Sequence, residues 1–543
     1  MILSLDRRTL HSLVSLLSRL KKLDSFPPKL PSLVQDYFDG KEAISNLVNL
    51  PPTYKALRDN HDTVVERKID REVLVQVLLS QAKKSEYSNE VTNNQINSLS
   101  HSNISTITTG HQLSIYGGPM FFFYKILSIV SIAEKLKKDG KKSIPIYWMA
   151  SEDHDFDEIN HIVVEGQKAH WETDQNGPVG RMKLNNFSSF KNQIVEQLKD
   201  DYRYSKTLKE LDRIFDSRKT LTDAIRDFVY WIFADSGVVV IDADDRNLKR
   251  LFIPYLEKEL ATNFSQKAID DNSLQLGTLG YKTQVAGREI NLFWMRDGYR
   301  DRIVKTVDGF ATADRKYQWD YETMLSLVKA SPECFSPNVI LRPLYQEGIL
   351  PNIAYVGGPG ETSYWLQLKG VFDSASIPMP LVLLRDMFSL MNPLSIKKKD
   401  QLGINWIDLY QNKDDLVKRL IRMKGSHEEL VSKRQVLLED SFKLMANELS
   451  EFDDSLRRKT EAELVRLNRK LETLKKKVLR SEKNQNEVLL KRVEHLYLQC
   501  FPVGNPQERV LNWLHFWPLP KSVLELLPHC DPFSTEIKVI ETD

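Results

Sequence analysis

Three short stretches combine residue types that do chemistry together. The first is Thr108-Thr109-Gly110-His111-Gln112, where a glycine and a histidine end the β-branched run Ile104 to Thr109. An imidazole there, with the N–H groups of a following helix, can stabilise a phosphate or the charge of an adenylate-forming step; it can also be an ordinary loop histidine. The second is Ser151-Glu152-Asp153-His154-Asp155-Phe156-Asp157-Glu158-Ile159-Asn160-His161, after the apolar run Ile144 to Ala150. Its histidines and carboxylates suit zinc, manganese or iron. They equally suit the amine and hydroxyl groups of a polar substrate, with Asp or His as general base; a solvated acidic turn is the third reading. The last stretch, Gly357-Gly358-Pro359-Gly360-Glu361, lets a ligand approach the backbone or makes a tight turn. Its spacing is neither that of a Walker loop nor that of the dinucleotide fingerprint.

These residues need a scaffold that brings strand ends together. If Ile104 to Thr109 and Ile144 to Ala150 are parallel strands joined by a helix, their C-terminal ends share the edge where doubly wound sheets bind ligands. Met120 to Lys138, apolar on most faces, is that helix, with Gly117-Gly118-Pro119 at its entrance. Gly237 to Asp242 reads as a buried parallel strand ending in the acids Asp242, Asp244 and Asp245. Ile162 to Val164 reads as a further short strand, and residues 187–233 are rich in helical spacing. Strand-like runs return at Asn338 to Leu341, Ile353 to Val356 and Leu381 to Leu384, so the pattern predicts an α/β fold. Residues 412–500 differ in kind: Leu464, Leu467, Leu471, Leu474 and Val478 alternate spacings of three and four, which is a coiled-coil seam. Two antiparallel helices are expected, near 413–450 and 454–500, turning near Phe452-Asp453-Asp454.

At 543 residues the chain exceeds what one hydrophobic core serves. The formal charge of +2, from 76 basic and 74 acidic residues, calls for no nucleic acid. Three scattered cysteines, Cys334, Cys500 and Cys530, fit a reducing cytoplasmic setting and form no CxxC pair. Asp6, Arg7, Arg8 and His11 interrupt the first apolar segment, so neither a membrane span nor a signal peptide is expected. The expected order is a helical lead-in over 1–100, then a core over 101–392 with insertions near 165–235 and 265–335. A coiled coil over 393–501 and a tail over 502–543 that packs on the core follow.

Longer motifs add a resemblance. Thr109-Gly110-His111-Gln112, Gly117-Gly118-Pro119, Tyr124-Lys125-Ile126 and Trp148 to Phe156 with Glu158-Ile159-Asn160-His161 resemble the bacillithiol biosynthesis cysteine-adding family, BshC. So do Ser336-Pro337-Asn338, Leu341 to Glu347, Leu350-Pro351-Asn352, Ala354 to Glu361 and Gln507-Glu508-Arg509, from about residue 31 to the C-terminus. The resemblance implies a Rossmann-like doubly wound parallel sheet, akin to nucleotidyltransferases and class I synthetases, with inserted connecting segments. It also implies a C-terminal α-helical coiled-coil domain that helps form a homodimer. Thr108-Thr109-Gly110-His111 stands where such folds keep an HxGH signature, and only its second histidine is present. Leu384-Arg385-Asp386 replaces the more usual Pro-Arg-Ser type of sequence.

The implied activity is a cytoplasmic ligase joining cysteine to glucosaminyl malate, the last step of bacillithiol biosynthesis. ATP is the candidate energy source, magnesium enters only as its counter-ion, and no metal site or membrane is expected. His111 would stabilise charge on the activated cysteine. Asp153, His154 and Asp155 would share the catalytic work, and with His161 bind the amino sugar or act as base. Substrate contacts are expected from Thr109, Gly110, Gln112, Gly118, Ser151, Glu152 and Asn160, and from Arg342, Tyr345, Gln346, Tyr355, Gly357, Gly358 and Glu361. Two other readings compete: a metal-dependent hydrolase or transferase using the Asp153 to His161 cluster, and a coiled-coil scaffold protein.

Overall fold

The computed structural model describes residues 20–199, 201–423 and 427–542. The described chain forms two units, one made of residues up to Ser389 together with Glu508–Ile540, the other of Leu390–Gln507 with the last residues. Expectations for the first 19 residues lie outside the described residues.

The first unit is built on five parallel strands: β1 (Ser105–His111), β2 (Ser143–Met149), β3 (Val239–Asp242), β4 (Asn352–Gly357) and β5 (Leu381–Leu384), in the order β5-β4-β1-β2-β3. This is the doubly wound pattern, and its order reverses between β1 and β4. The strands are apolar or β-branched and buried on both faces, because helices cover a parallel sheet on either side. Ile107, Ile353, Val356 and Leu383 pack with Ile129, Ile132 and Leu136 of helix α1 (Phe121–Lys138) and with Leu57 and Val64 of an N-terminal helix. Helix α1 closes on Lys135, Lys137 and Lys138, cations that complement its C-terminal dipole, and stops at Gly140, whose φ of +76° suits the residue after a helix.

Residues 32–98 are largely helical, as expected of the lead-in, with a strand at Lys21–Phe26 ahead of them. Ile162 to Val164 does not join the parallel sheet: it belongs to the hairpin His161–Val164 with Gln167–His170. A five-stranded antiparallel sheet occupies 292–337. The stretch Asn338 to Leu341 is not a strand. The Asn338 carboxamide accepts from the N–H groups of Ile340 and Leu341 at 2.9 and 3.3 Å, and so turns the chain into helix α2 (Leu341–Ile349). Pro119 stands at the entrance of α1, just ahead of its N-cap Met120.

Helix α3 (Pro359–Trp365) follows β4 in the first unit. In the second unit, helices α4 (His427–Ser450) and α5 (Asp454–Gln485) form an antiparallel pair turning at 451–453. Leu464, Leu467, Leu471 and Val478 are half-buried in this pair, and Gln435 Nε2 donates to Asn468 Oδ1 across it at 3.1 Å. Leu437, Leu444, Val465 and Leu474 remain exposed.

Candidate active site

The reversal between β1 and β4 opens a crevice at the C-terminal edge of the sheet, the place where such sheets bind ligands. β1 delivers Gly110 and His111 to it, and β4 delivers Tyr355 and Gly357. The walls are close: a methyl group on Gly110 would stand 3.3 Å from the Tyr355 hydroxyl and 3.5 Å from Arg342 Nη1.

A charged cluster fills the floor. Lys125, in the otherwise apolar first turns of α1, donates from Nζ to Gly110 O at 2.9 Å and lies 2.5 Å from Glu361 Oε2. Glu361 also accepts from the N–H of Gly358 at 2.8 Å, where it caps α3, and from the Tyr355 hydroxyl at 3.0 Å. Burial pushes this carboxyl up, but the Lys125 charge and the hydrogen bonds from Gly358 and Lys125 outweigh it and hold it below its ordinary range. Arg385, just after β5, makes a bidentate pair with Glu508. Its buried Nε, facing Gly358, has no acceptor among the described residues. Arg342 lies among the rings of Trp148, Tyr355 and Trp365 and donates to Gln346 Oε1 at 3.1 Å.

His111 packs against Phe121 and Phe122, and its Nδ1 donates to Gln112 O at 2.9 Å, which leaves the Nε2 lone pair free of that bond. Burial, then the charges of Lys125 and Arg385, push its pKa down to about 3. The ring is therefore neutral near pH 7.

A buried polar relay supports the crevice from below. Gln346 and Asn352 each donate to Glu347 Oε1 at 2.8 Å, while Asn352 Oδ1 accepts from the hydroxyls of Thr106 and Thr108. The relay ties β1, β4 and α2 together and, through Gln346, orients Arg342. Burial raises Glu347 to about 7.

Along the same edge, beyond β2, Gln112 Nε2 donates to Asp153 Oδ2 at 3.0 Å. Burial pushes the Asp153 carboxyl up, yet hydrogen bonds from His154 and Gln112 and the Arg300 charge hold it well below the usual range. Arg300 stacks on Phe293 at 3.8 Å and donates to His154 Nδ1 at 2.5 Å. Glu152 pairs with the buried Lys249 and accepts from the Ser336 hydroxyl. Ser151 donates to Asp242 at the end of β3.

The structure thus brings together Gly110, His111, Arg342, Gln346, Tyr355, Gly357, Gly358 and Glu361 at the crevice, with Gln112 linking them to Ser151, Glu152, Asp153 and His154. Six expected residues, Asn160 among them, stand elsewhere or serve the frame. Thr109 ties β1 to β4 through its hydroxyl on Val356 O. The Gly118 carbonyl accepts the Asn512 amide at 2.6 Å, and Tyr345 donates to Ala243 O within the core. Asp155 is exposed, and His161 hydrogen-bonds Asn160 at the mouth of the hairpin, because the chain leaves the edge after His154. The 152–161 stretch is split in this way, and no group of three His, Cys, Asp or Glu side chains able to hold a metal occurs among the described residues. Sequence reasoning quoted Lys125, Arg385 and Glu508 within motifs but gave them no role, and it passed over Lys249 and Arg300. Apart from those motifs, Lys125 leaves a signal of its own, as a lone charge in an apolar helical run.

Comparison with known proteins agrees with the two-part fold. Residues 20–386 match the family model described as the bacillithiol biosynthesis BshC N-terminal Rossmann-like domain, and residues 388–542 match the corresponding C-terminal coiled-coil domain. A protein of Flavobacterium johnsoniae named "Putative cysteine ligase BshC" is 35% identical over 491 residues, 89% of this chain and 92% of that one. Proteins of the same name from Christiangramia forsetii and Bacillus anthracis are 31% and 26% identical, over 94% and 89% of this chain and 96% and 93% of their own lengths. The two models together span the described chain from its first residue to its last, and with them the chain belongs to the bacillithiol biosynthesis BshC family.

Proposed function

We propose that the protein is a cytoplasmic carbon–nitrogen ligase that joins the carboxyl group of cysteine to the amine of glucosaminyl malate, giving bacillithiol. An amide does not form from a free carboxylate and an ammonium in water, so the carboxyl must first carry a leaving group, with ATP the candidate donor. The amine must then lose a proton as nitrogen attacks the carboxyl carbon and the leaving group departs.

The observation that carries this reading is the pairing of a neutral His111 with the cations Lys125 and Arg385 in one crevice. A neutral ring supplies no positive charge, so stabilisation of a carboxylate or phosphoryl group falls to Lys125 and to the free N–H of Arg385. His111 Nε2 is then the acceptor for the amine proton. An anion bound beside Lys125 and Arg385 offsets two of the charges that depress its basicity and makes it a better base. Arg342, Tyr355 and Gln346 position the substrate. The exposed Leu437, Leu444, Val465 and Leu474 suit pairing with a second copy through the helical hairpin.

The test incubates purified protein with cysteine, glucosaminyl malate, ATP and magnesium, and follows thiol product and nucleotide by mass spectrometry. Bacillithiol with AMP supports an acyl-adenylate and bacillithiol with ADP an acyl-phosphate. Absence of product with ATP, and with every other nucleoside triphosphate, counts against the reading.

A further inference from the structure

A cavity lies on the same edge of the sheet, at the end of β3. It measures about 530 Å³, within the range of small-molecule sites, and takes in Arg181, Arg226, Asp242, Asp244 and Thr222. At about 4.8 Å per strand, β3 stands ~10 Å from β1, a distance that one elongated substrate can span.

The side chains there form a built site. Arg226, on the helix Leu221–Phe233, is 2% exposed. Its Nη1 lies 2.8 Å from Asp223 and its Nη2 3.7 Å from Asp242, but its buried Nε finds no acceptor among the described residues. Arg181 holds Asp244 by two hydrogen bonds of 2.8 and 2.9 Å and reaches Asp297 with a third nitrogen. An orphaned buried donor carries a desolvation cost that a ligand acceptor would remove.

The charge balance selects the ligand. Lys84, Arg181 and Arg226 face four carboxylates, those of Asp223, Asp242, Asp244 and Asp297, so a polyphosphate would be repelled. Among the described residues no aromatic ring lines the cavity, so a nucleobase would have no stacking partner there. What remains is a hydroxyl-rich molecule whose oxygens accept from Arg226 and whose hydroxyl or ammonium hydrogens reach Asp242 and Asp244. Burial, and then the charges of Glu152 and Asp242, push the Asp244 carboxyl up, while the hydrogen bonds from Arg181 draw it back toward the ionised acceptor.

We propose that this cavity is the sugar subsite, holding the ring hydroxyls of the amine substrate against Arg226, Asp242 and Asp244, with its malate carboxylates and its ring amine turned out of the cavity toward Lys125, Arg385 and His111. This rests on the ligase reading for the identity of the sugar, and it moves sugar recognition from the exposed 155–161 segment to the end of β3.

Deuterium exchange of the full chain, with and without saturating glucosaminyl malate and without cysteine or ATP, tests it in the unmodified protein. Slowed exchange in residues 174–182 and 220–228 is expected; protection confined to other segments, or none, overturns the proposal. In the coupled assay, Arg226→Lys should raise KM for glucosaminyl malate roughly tenfold while KM for cysteine stays unchanged. An equal rise in both, or in neither, counts against the subsite. Product formed by wild-type protein with no protection at these segments rejects the subsite and leaves the ligase reading standing. Protection here in a protein that forms no product keeps the subsite and rejects that reading.

Discussion

Replacing Lys125 by Met keeps most of the side chain's bulk and removes one charge from the crevice floor. The Lys125 side chain is 4% exposed and lies 2.5 Å from Glu361, so the substitution leaves a carboxylate without its cation. Removing one partner of a buried pair costs about 3–5 kcal/mol. Glu361 is itself 26% exposed and retains its bonds from Gly358 and Tyr355, which puts the loss at the lower end, about 3 kcal/mol. With ~2.1 cal/mol/K of unfolding entropy per residue, a unit of roughly 400 residues loses about 1 °C for each ~0.8 kcal/mol. Lys125→Met should therefore melt ~3–4 °C below wild type. Lys125→Met/Glu361→Gln, which removes both charges, should recover at least half of that loss. Scanning calorimetry at pH 7.5 on the wild type, both single variants and the double variant completes the cycle. A single variant within 1 °C of wild type, or a double variant less stable than Lys125→Met, would refute the buried, coupled pair.

Glu347 makes a pH prediction. Its pKa of about 7 exceeds the ordinary value of about 4.3, so between these limits the folded state holds a proton that the unfolded state lacks, and stability falls as pH rises. The Tm of Glu347→Gln should gain on wild type by the equivalent of about 3–4 kcal/mol from pH 4.5 to 8; a constant gap would contradict the shift. His111 runs the other way. Its ring takes a proton in the unfolded chain near 6.5 but in the folded one only near 3, so stability falls as pH drops through that window. Its NMR ring signals should not titrate between pH 5 and 9, and a midpoint near 6.5 would refute its burial. His111→Ala should lower kcat by about 10²–10⁴-fold if Nε2 receives the amine proton, and unchanged turnover removes that role. Leu437→Glu with Leu444→Glu should shift the oligomeric state in light scattering toward monomer; an unaltered mass removes the hairpin as the pairing surface.

The sheet was legible in the sequence because buried parallel strands are runs of Ile, Val and Thr, as at Ile104 to Thr109 and Gly237 to Asp242. Their register and order were not, so the position of the crevice between β1 and β4 came only with the fold. The Asn338 to Leu341 stretch misled because an asparagine before apolar residues reads alike as a strand edge or as a helix cap, and its side-chain bonds decide between them. Burial of single charges was the larger gap. Arg385 and Glu508 look like surface residues until the fold joins them. The dense run from Ser151 to His161 drew attention as one unit, although only its first four residues stay on the sheet edge.

The order in which the chain is made gives the Arg385–Glu508 pair a further meaning. Glu508 follows Arg385 by 123 residues, with Leu390–Gln507, the main part of the second unit, between them. At ~5–20 residues per second of synthesis, Arg385 waits about 6–25 s for its counter-charge. Through that interval the nascent sheet carries an unmatched guanidinium at its ligand-binding edge. The first unit then closes only when the C-terminal segment emerges, so a chain truncated before Glu508 leaves the ribosome without the carboxylate that completes this corner of the site.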